Sequence, residues 1–306
     1  MNIFDWGDTM SNINREYKLD ITNRIIKALE KGTAPWQKTW SNNLPVNAIT
    51  NNCYRGVNSI FLSIKGEEIS EDRDPRWATK KQAESKGWSI KDGAEPTKIF
   101  VLILPKKITV YSELLGKDVI VGDKKYAIRK TFDVYHASQI QGISPFVSPK
   151  RKPVMSNREL DEIIFRSSAR IFEGGTEASY SPSIDLIRVP RRNFFDDTES
   201  YYSTLLHELA HWTGHSSRLD RFLSWSFDKS SEAYAREELV AEIASMLITL
   251  ETGIRQTQEH FNNHVAYIDS WISLLKSDPN AIFKATQEAN KAVNFIMSFR
   301  DDSSEQ

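Results

Sequence analysis

His207-Glu208-Leu209-Ala210-His211 joins two imidazoles and a carboxylate at a spacing that can do chemistry. A helix turns once in about 3.6 residues, so side chains at i and i+4 stand one above the other on the same face. On a helix, His207 and His211 can therefore share one metal ion. Glu208 between them can take a proton from a water held at an open coordination position. This spacing is the signature of zinc-dependent peptide-bond hydrolysis, with Glu208 as the catalytic base. Asp197 or Thr198 can cap such a helix, Glu199 suits its first turn, and Gly214 is a stop. Leu205, Leu206, Leu209 and Trp212 form an apolar stripe that leaves the histidines on another face.

A third ligand is needed. The extended pattern HExxHxxGxxH is followed as far as Gly214, but Ser217 stands where its last histidine belongs, and His215 comes two residues early. The other solution is a glutamate from a later helix. In the run from Ala235 to Leu247, residues Leu239, Ile243, Met246 and Leu247 make a buried stripe, and Glu238 and Glu242 share a neighbouring face. Glu238 is the expected ligand and Glu242 the group that orients a histidine from behind, with Glu237 in reserve. His215 reads as a helix-end residue. Tyr201, Tyr202, Tyr234 and His215 are candidates to stabilise an oxyanion, and the sequence does not choose among them. A His₂Glu set favours one Zn²⁺, with Mn²⁺ or Ni²⁺ as substitutes.

The elements that must position these groups fall into two parts. Ile21, Ile25, Ile26 and Leu29 lie at helical spacing before Gly32. Trp77 to Gly87 reads as a short helix. Ile99–Leu104, Ile108–Tyr111, Val119–Val121 and Ala127–Tyr135 read as strands of a small sheet. Ser144 to Pro153, with its prolines and Lys150-Arg151-Lys152, is the best boundary. Beyond it, Ser156 and Glu159 form a capping box for a helix carrying Leu160, Ile163, Ile164 and Ile171. Ile184–Val189 is a strand beside the metal helix. The tail is helical, through Phe261, Val265, Ile268 and Ile272 and then Ile282, Ala289, Val293 and Ile296, and Asp301 to Gln306 is expected to be disordered. The fold class is therefore α+β: a small N-terminal α/β sheet domain (1–143), a linker (144–155) and a mainly helical zincin-like domain (156–306).

At 306 residues, the chain has room for two domains. A hydrophobic content of 40% and a charged content of 26% are those of an ordinary globular protein. No apolar run reaches the length of a membrane span, and the first residues carry Asp5 and Asp8 rather than a secretory signal. Cys53 is the single cysteine, which excludes an internal disulfide and a cysteine-based zinc site and fits a reducing, cytoplasmic compartment. Residues 1–141 hold 22 Lys+Arg against 17 Asp+Glu, and residues 142–306 hold 18 against 24. The front half is thus +5 and the rear half −6, a split that points the front towards nucleic acid.

Single strands are held by aromatic faces that stack bases and by cations that follow the backbone. The front half interleaves both: Trp36, Lys38 and Trp40; Tyr54, Arg55 and Asn58; Arg76, Trp77, Lys80, Lys81, Lys86, Trp88 and Lys98. Any one indole is more often core than contact. Arg55 and Lys80 are the better contacts.

Leu205 to His215, Arg218-Leu219-Asp220-Arg221 and Glu237-Glu238-Leu239-Val240-Ala241-Glu242 resemble the ArdC-type antirestriction proteins. Tyr54-Arg55-Gly56-Val57-Asn58, Trp77-Ala78-Thr79-Lys80-Lys81-Gln82-Ala83 and Pro35-Trp36 with Trp40 are similar to that family's front domain. The resemblance runs from about Tyr17 to Leu250, in the family's order. It implies an N-terminal domain that binds single-stranded DNA and a C-terminal metallopeptidase-like domain, carried by conjugative plasmids and phages and shielding incoming DNA from restriction. It carries His207, His211 and a glutamate of the 237–242 run over as metal ligands and Glu208 as catalytic. The Lys81-Gln82 spacing and the short Trp36–Trp40 interval depart from the family's pattern.

Three functions compete. The first binds single-stranded DNA and hydrolyses a peptide bond in an unknown protein. The second is a module that coats DNA and carries a structural or vestigial zinc. The third is a DNA-cleaving metalloenzyme, which lacks the paired-metal carboxylates that phosphodiester chemistry uses. A closed zinc site needs no general base, so Glu208 favours the first.

Overall fold

The computed structural model describes residues 6–32, 34, 44–72, 74–103, 108–112, 117–121, 128–147, 157–221, 228, 231–252, 254 and 267–300. The chain divides into two compact units: Met1–Leu44, Tyr54–Ile64 and Val147–Gln306 in one, Pro45–Cys53 and Lys65–Phe146 in the other. The first helical stretch and residues 54–64 thus group with the rear of the chain. Together the helices and small sheets make a mixed α+β protein.

The smaller unit is built on strands β1 (Val46–Asn47), β2 (Arg76–Ala78), β3 (Ser89–Ile90), β4 (Thr97–Ile103), β5 (Ile108–Ser112), β6 (Lys117–Val121), β7 (Ile128–His136) and β8 (Ile140–Gln141). Its main sheet has the order β1-β2-β7-β4, with β4 and β7 paired antiparallel from Thr97↔Val134 to Ile103↔Ile128. β5–β6 and β3–β8 form two further two-stranded pairs. The segment expected as a helix over 77–87 splits instead. Trp77 and Ala78 pair with His136 and Tyr135 in the sheet. Thr79 then caps a helix over Lys80–Ser85 through a box with Gln82, and Gly87 leaves it at φ 73, a region open to glycine. Pairing with β7, which buries both Trp77 and Ala78, decides the first part, and the cap decides the second. Ala78, Ala83 and Ile140 form the core here, flanked by Trp88, Ile90 and Tyr135.

The larger unit contains α1 (Trp6–Glu30), α2 (Val57–Ile69, its first part), α4 (Asn157–Ser167), strands β9 (Ile171–Glu173), β10 (Ser179–Ser181) and β11 (Leu186–Val189), and then α5 (Thr198–Trp212), α6 (Glu232–Thr252), α7 (Ile268–Ser277) and α8 (Ala281–Met297), with Lys80–Ser85 of the smaller unit counted as α3. Ile171 does not continue α4. Ser168 turns to φ 57 and ends the helix, so Ile171 opens β9 beside Ile187. Phe261, Val265, the Ser156 cap and the 301–306 tail lie outside the described residues.

Helix α5 was expected to bury one stripe. It is enclosed nearly all round: from Ser200 to Trp212, only Thr204 is not buried. Strands β10 and β11 pack on it, as do α6 and α8. Each fully enclosed Leu or Ile there contributes about 1.5–3 kcal/mol of transfer free energy. A helix enclosed in this way carries its polar groups into the interior, where they must find partners. No helix among the described residues is long and apolar enough to cross a membrane.

Candidate metal centre

Asp197 starts α5 by accepting a hydrogen bond from the Ser200 backbone N–H at 2.6 Å. Two turns on, His207 and His211 meet with their Nε2 atoms 3.2 Å apart and their rings at 80°. Across from them, α6 supplies Glu238. One carboxylate oxygen lies 3.7 Å from His207 Nε2 and the other 3.5 Å from His211 Nε2. These three side chains present ligand atoms all within 4.8 Å of one another, and all three are buried. Ligands about 2.0–2.2 Å from a tetrahedral ion stand roughly 3.3–3.6 Å apart, so the set fits one divalent cation.

Behind each imidazole stands a second carboxylate. Glu242, one turn beyond Glu238, places an oxygen 3.6 Å from His207 Nδ1. Glu237 places one 3.3 Å from His211 Nδ1. The acidic run is therefore no solvated face: Glu237, Glu238 and Glu242 are 6%, 5% and 2% exposed. Glu237, the reserve ligand from sequence, addresses the outer nitrogen of His211 instead. Glu208 is 7% exposed within the same cluster.

The electrostatics follow from this crowding. Burial pulls the His211 pKa down, but Glu238 and Glu237 outweigh it and raise it to about 9. Burial likewise opposes Glu238 and Glu242 at His207, whose pKa still ends well above its usual value. Burial pushes Glu238 up, yet His211 and His207 hold it below the carboxylate range. A pocket that binds protons this firmly concentrates negative charge where a cation fits.

The phenols sort themselves. Tyr201 donates to Glu173 at 2.6 Å and Tyr202 to Asp161 at 2.8 Å, which commits both elsewhere. His215 pairs with Ser217 in the turn after α5. Tyr234, one turn before Glu238, has its hydroxyl 3.2 Å from that of Tyr267. Burial first, then Glu238, raises the pKa of both phenols, keeping them protonated donors. Tyr267 was missed in the sequence, where nothing but its aromatic type marks it.

The residues expected to touch DNA are divided between the units. Tyr54, Arg55 and Asn58 belong to the larger, and Trp77, Lys80 and Lys98 to the smaller. Arg55 is exposed, and Tyr54 and Asn58 are half-buried. Lys80 is exposed near Glu84, and Lys98 pairs with Asp133 at 3.0 Å. Trp77 is 1% exposed, edge-on to His136 with ring centroids 5.0 Å apart, and so has no face left for a base. Its strand position turns the indole inward. Trp36 and Trp40 lie outside the described residues.

Comparison with known proteins gives a consistent picture. Residues 15–135 match the N-terminal domain of anti-restriction factor ArdC, and residues 158–288 match the zincin-like metallopeptidases. Crystal structures of the antirestriction ArdC protein from the R388 plasmid are similar throughout. The metal-free form is 32% identical with a TM-score of 0.72, over 92% of this chain and 97% of that one. The Mn(II)-bound form is 31% identical with a TM-score of 0.74, over 93% and 98%. A DNA primase TraC of Escherichia coli is 37% identical over 95% of this chain, which spans only 28% of that protein's length.

Proposed function

The chain belongs to the ArdC family of antirestriction proteins, and on that premise we propose that it binds single-stranded DNA and hydrolyses a peptide bond in a protein substrate at a zinc site. The observation that carries this is the convergence of His207 Nε2, His211 Nε2 and the Glu238 carboxylate within 4.8 Å. These three residues would hold the ion: zinc by the preference of a His₂Glu set, or manganese, the metal of the R388 protein's bound form. When bound, the ion supplies Lewis acidity and a water of lowered pKa. Glu208 would accept a proton from the attacking water at its carboxylate and return it to the leaving nitrogen. Tyr234 and Tyr267 donate hydrogen bonds to the developing oxyanion. Glu242 keeps the His207 ring oriented. We assign DNA binding to residues 1–143 and the chemistry to residues 156–306, joined by 144–155, and place the action in the cytoplasm, where incoming DNA meets restriction enzymes.

The test uses the full chain loaded with zinc, with and without a single-stranded oligonucleotide. It is incubated with a peptide library, and new termini are read by mass spectrometry. Glu208→Gln is the control, since it keeps the ligands and removes the base. New termini made by the parent and absent with Glu208→Gln support hydrolysis. If parent and control give the same termini while both bind zinc and DNA, the chain coats DNA and the hydrolase reading fails.

A further inference from the structure

The run Arg218-Leu219-Asp220-Arg221 has no part in the chemistry above, yet its last residue is among the best-anchored side chains near the site. After α5 the chain folds back along the helix end: Leu219 N–H donates to Thr213 O, Asp220 N–H to His215 O and Arg221 N–H to Gly214 O. Asp220 takes φ 50 to make that return. The guanidinium of Arg221 is thereby delivered beneath the last turn of α5. It donates to the Ala210 carbonyl at 2.8 Å and the Thr213 hydroxyl at 2.7 Å. It also grips both oxygens of Glu237, at 2.7 and 3.1 Å. The Arg221 side chain is 5% exposed and that of Glu237 8%.

We infer that Arg221 is a positioning residue for the metal centre, acting through Glu237 to fix the ring of His211. The inference rests on reading His207, His211 and Glu238 as the metal ligands. The logic is geometric. A carboxylate gripped on both oxygens by one planar fork cannot rotate, so the edge that Glu237 turns to His211 Nδ1 is set. A carboxylate at that nitrogen holds the proton there, which leaves Nε2 as the lone-pair nitrogen on the side of Glu238. Arg221 ties this arrangement to α5 itself, through Ala210 one residue before His211. Helix, ring and orienting carboxylate are held as one piece. Behind His207, the Glu242 carboxylate takes the equivalent position, 3.6 Å from Nδ1.

The test titrates cobalt(II) into the full chain against a chromogenic chelator and records the visible spectrum of the bound ion. Arg221→Met and Glu237→Gln are expected to weaken cobalt binding about 10–100-fold and to alter the cobalt bands. Arg221→Lys, which keeps the charge but not the fork, is expected to fall between parent and Arg221→Met. Arg218→Met is the control. Arg218 donates to the Trp212 carbonyl at 2.7 Å and pairs with Asp185, and its remaining hydrogen bonds go to Tyr180 and Ser217 rather than to His211 or Glu237. It is expected to lower the melting temperature and leave cobalt affinity unchanged. Folded Arg221→Met and Glu237→Gln chains that bind cobalt like the parent overturn the inference, as does an equal loss with Arg218→Met. If Arg221→Met fails to fold, the nearly isosteric Glu237→Gln decides. A parent chain that takes up no cobalt or zinc overturns the metal reading itself.

Discussion

Glu238 and Glu242, one turn apart on α6, address the two ring nitrogens of the same imidazole. Glu238 lies 3.7 Å from His207 Nε2 and Glu242 3.6 Å from Nδ1. Equal in type and nearly equal in distance, they are unequal in role. Only Glu238 also reaches His211 Nε2, at 3.5 Å.

That inequality makes the first prediction. Glu238→Gln removes a charged ligand and should abolish stoichiometric zinc uptake, whereas Glu242→Gln should weaken it only about 10–100-fold. Competition with a chelator of known affinity measures both. Equal losses would mean that the two carboxylates share the ion.

The second concerns Tyr234, whose hydroxyl lies 3.2 Å from that of Tyr267. Losing one oxyanion donor typically costs about 10²–10³ in kcat. Tyr234→Phe should show a loss of that order on any peptide the parent cleaves, with zinc content and KM little changed. A rise in KM at constant kcat would make Tyr234 a substrate-binding group instead.

Much of this site is legible in the sequence because each of two helices carries its share at helical spacing. The i, i+4 rule places His207 above His211 without knowledge of the fold, and the same rule pairs Glu238 with Glu242. What local periodicity does not reach is which carboxylate faces which nitrogen. Glu237 and Glu238 are neighbours, and about 100° of helix rotation sends one to Nδ1 of His211 and the other between both Nε2 atoms. That choice depends on how α6 is rotated against α5. The roles of Arg221 and Tyr267 are not legible for a related reason, since folding alone brings Arg221 to Glu237 and Tyr267 to Tyr234. The helix expected over 77–87 shows the opposite case, where a local signal existed: the Thr79–Gln82 box marks the true start.

A third prediction is a pH dependence in the smaller unit. His136 is 1% exposed, with Nε2–H donating to the Asp74 carbonyl at 2.6 Å and Nδ1 facing the Ser138 hydroxyl at 2.8 Å. Burial lowers its pKa below the usual 6.5, against the opposing pull of Asp74. The unfolded chain therefore binds the proton more readily than the folded one. The stability this group contributes is present above about pH 6.5 and is lost as pH falls through the lower, folded value. Hydrogen exchange of the β2 and β7 amides, corrected for intrinsic rates, should accelerate on acidification below that pH. In His136→Gln the acceleration should disappear.

The last prediction separates core from contact in the front half. If residues 1–143 track a DNA backbone, affinity for a single-stranded oligonucleotide falls with salt at a slope of about −0.7 per phosphate neutralised. Arg55 and Lys80 are exposed, so Arg55→Ala and Lys80→Ala should each reduce that slope by roughly one contact and leave the melting temperature nearly unchanged. Trp77 must behave in the opposite way. Its indole is buried against His136, and replacing it by alanine should cost about 3–5 kcal/mol of stability. The milder Trp77→Phe, measured where the chain remains folded, should bind the oligonucleotide with the parent's affinity and salt slope. A folded Trp77→Phe chain that lost binding at full stability would place the indole against a base, and the buried position of β2 would have to open to allow it.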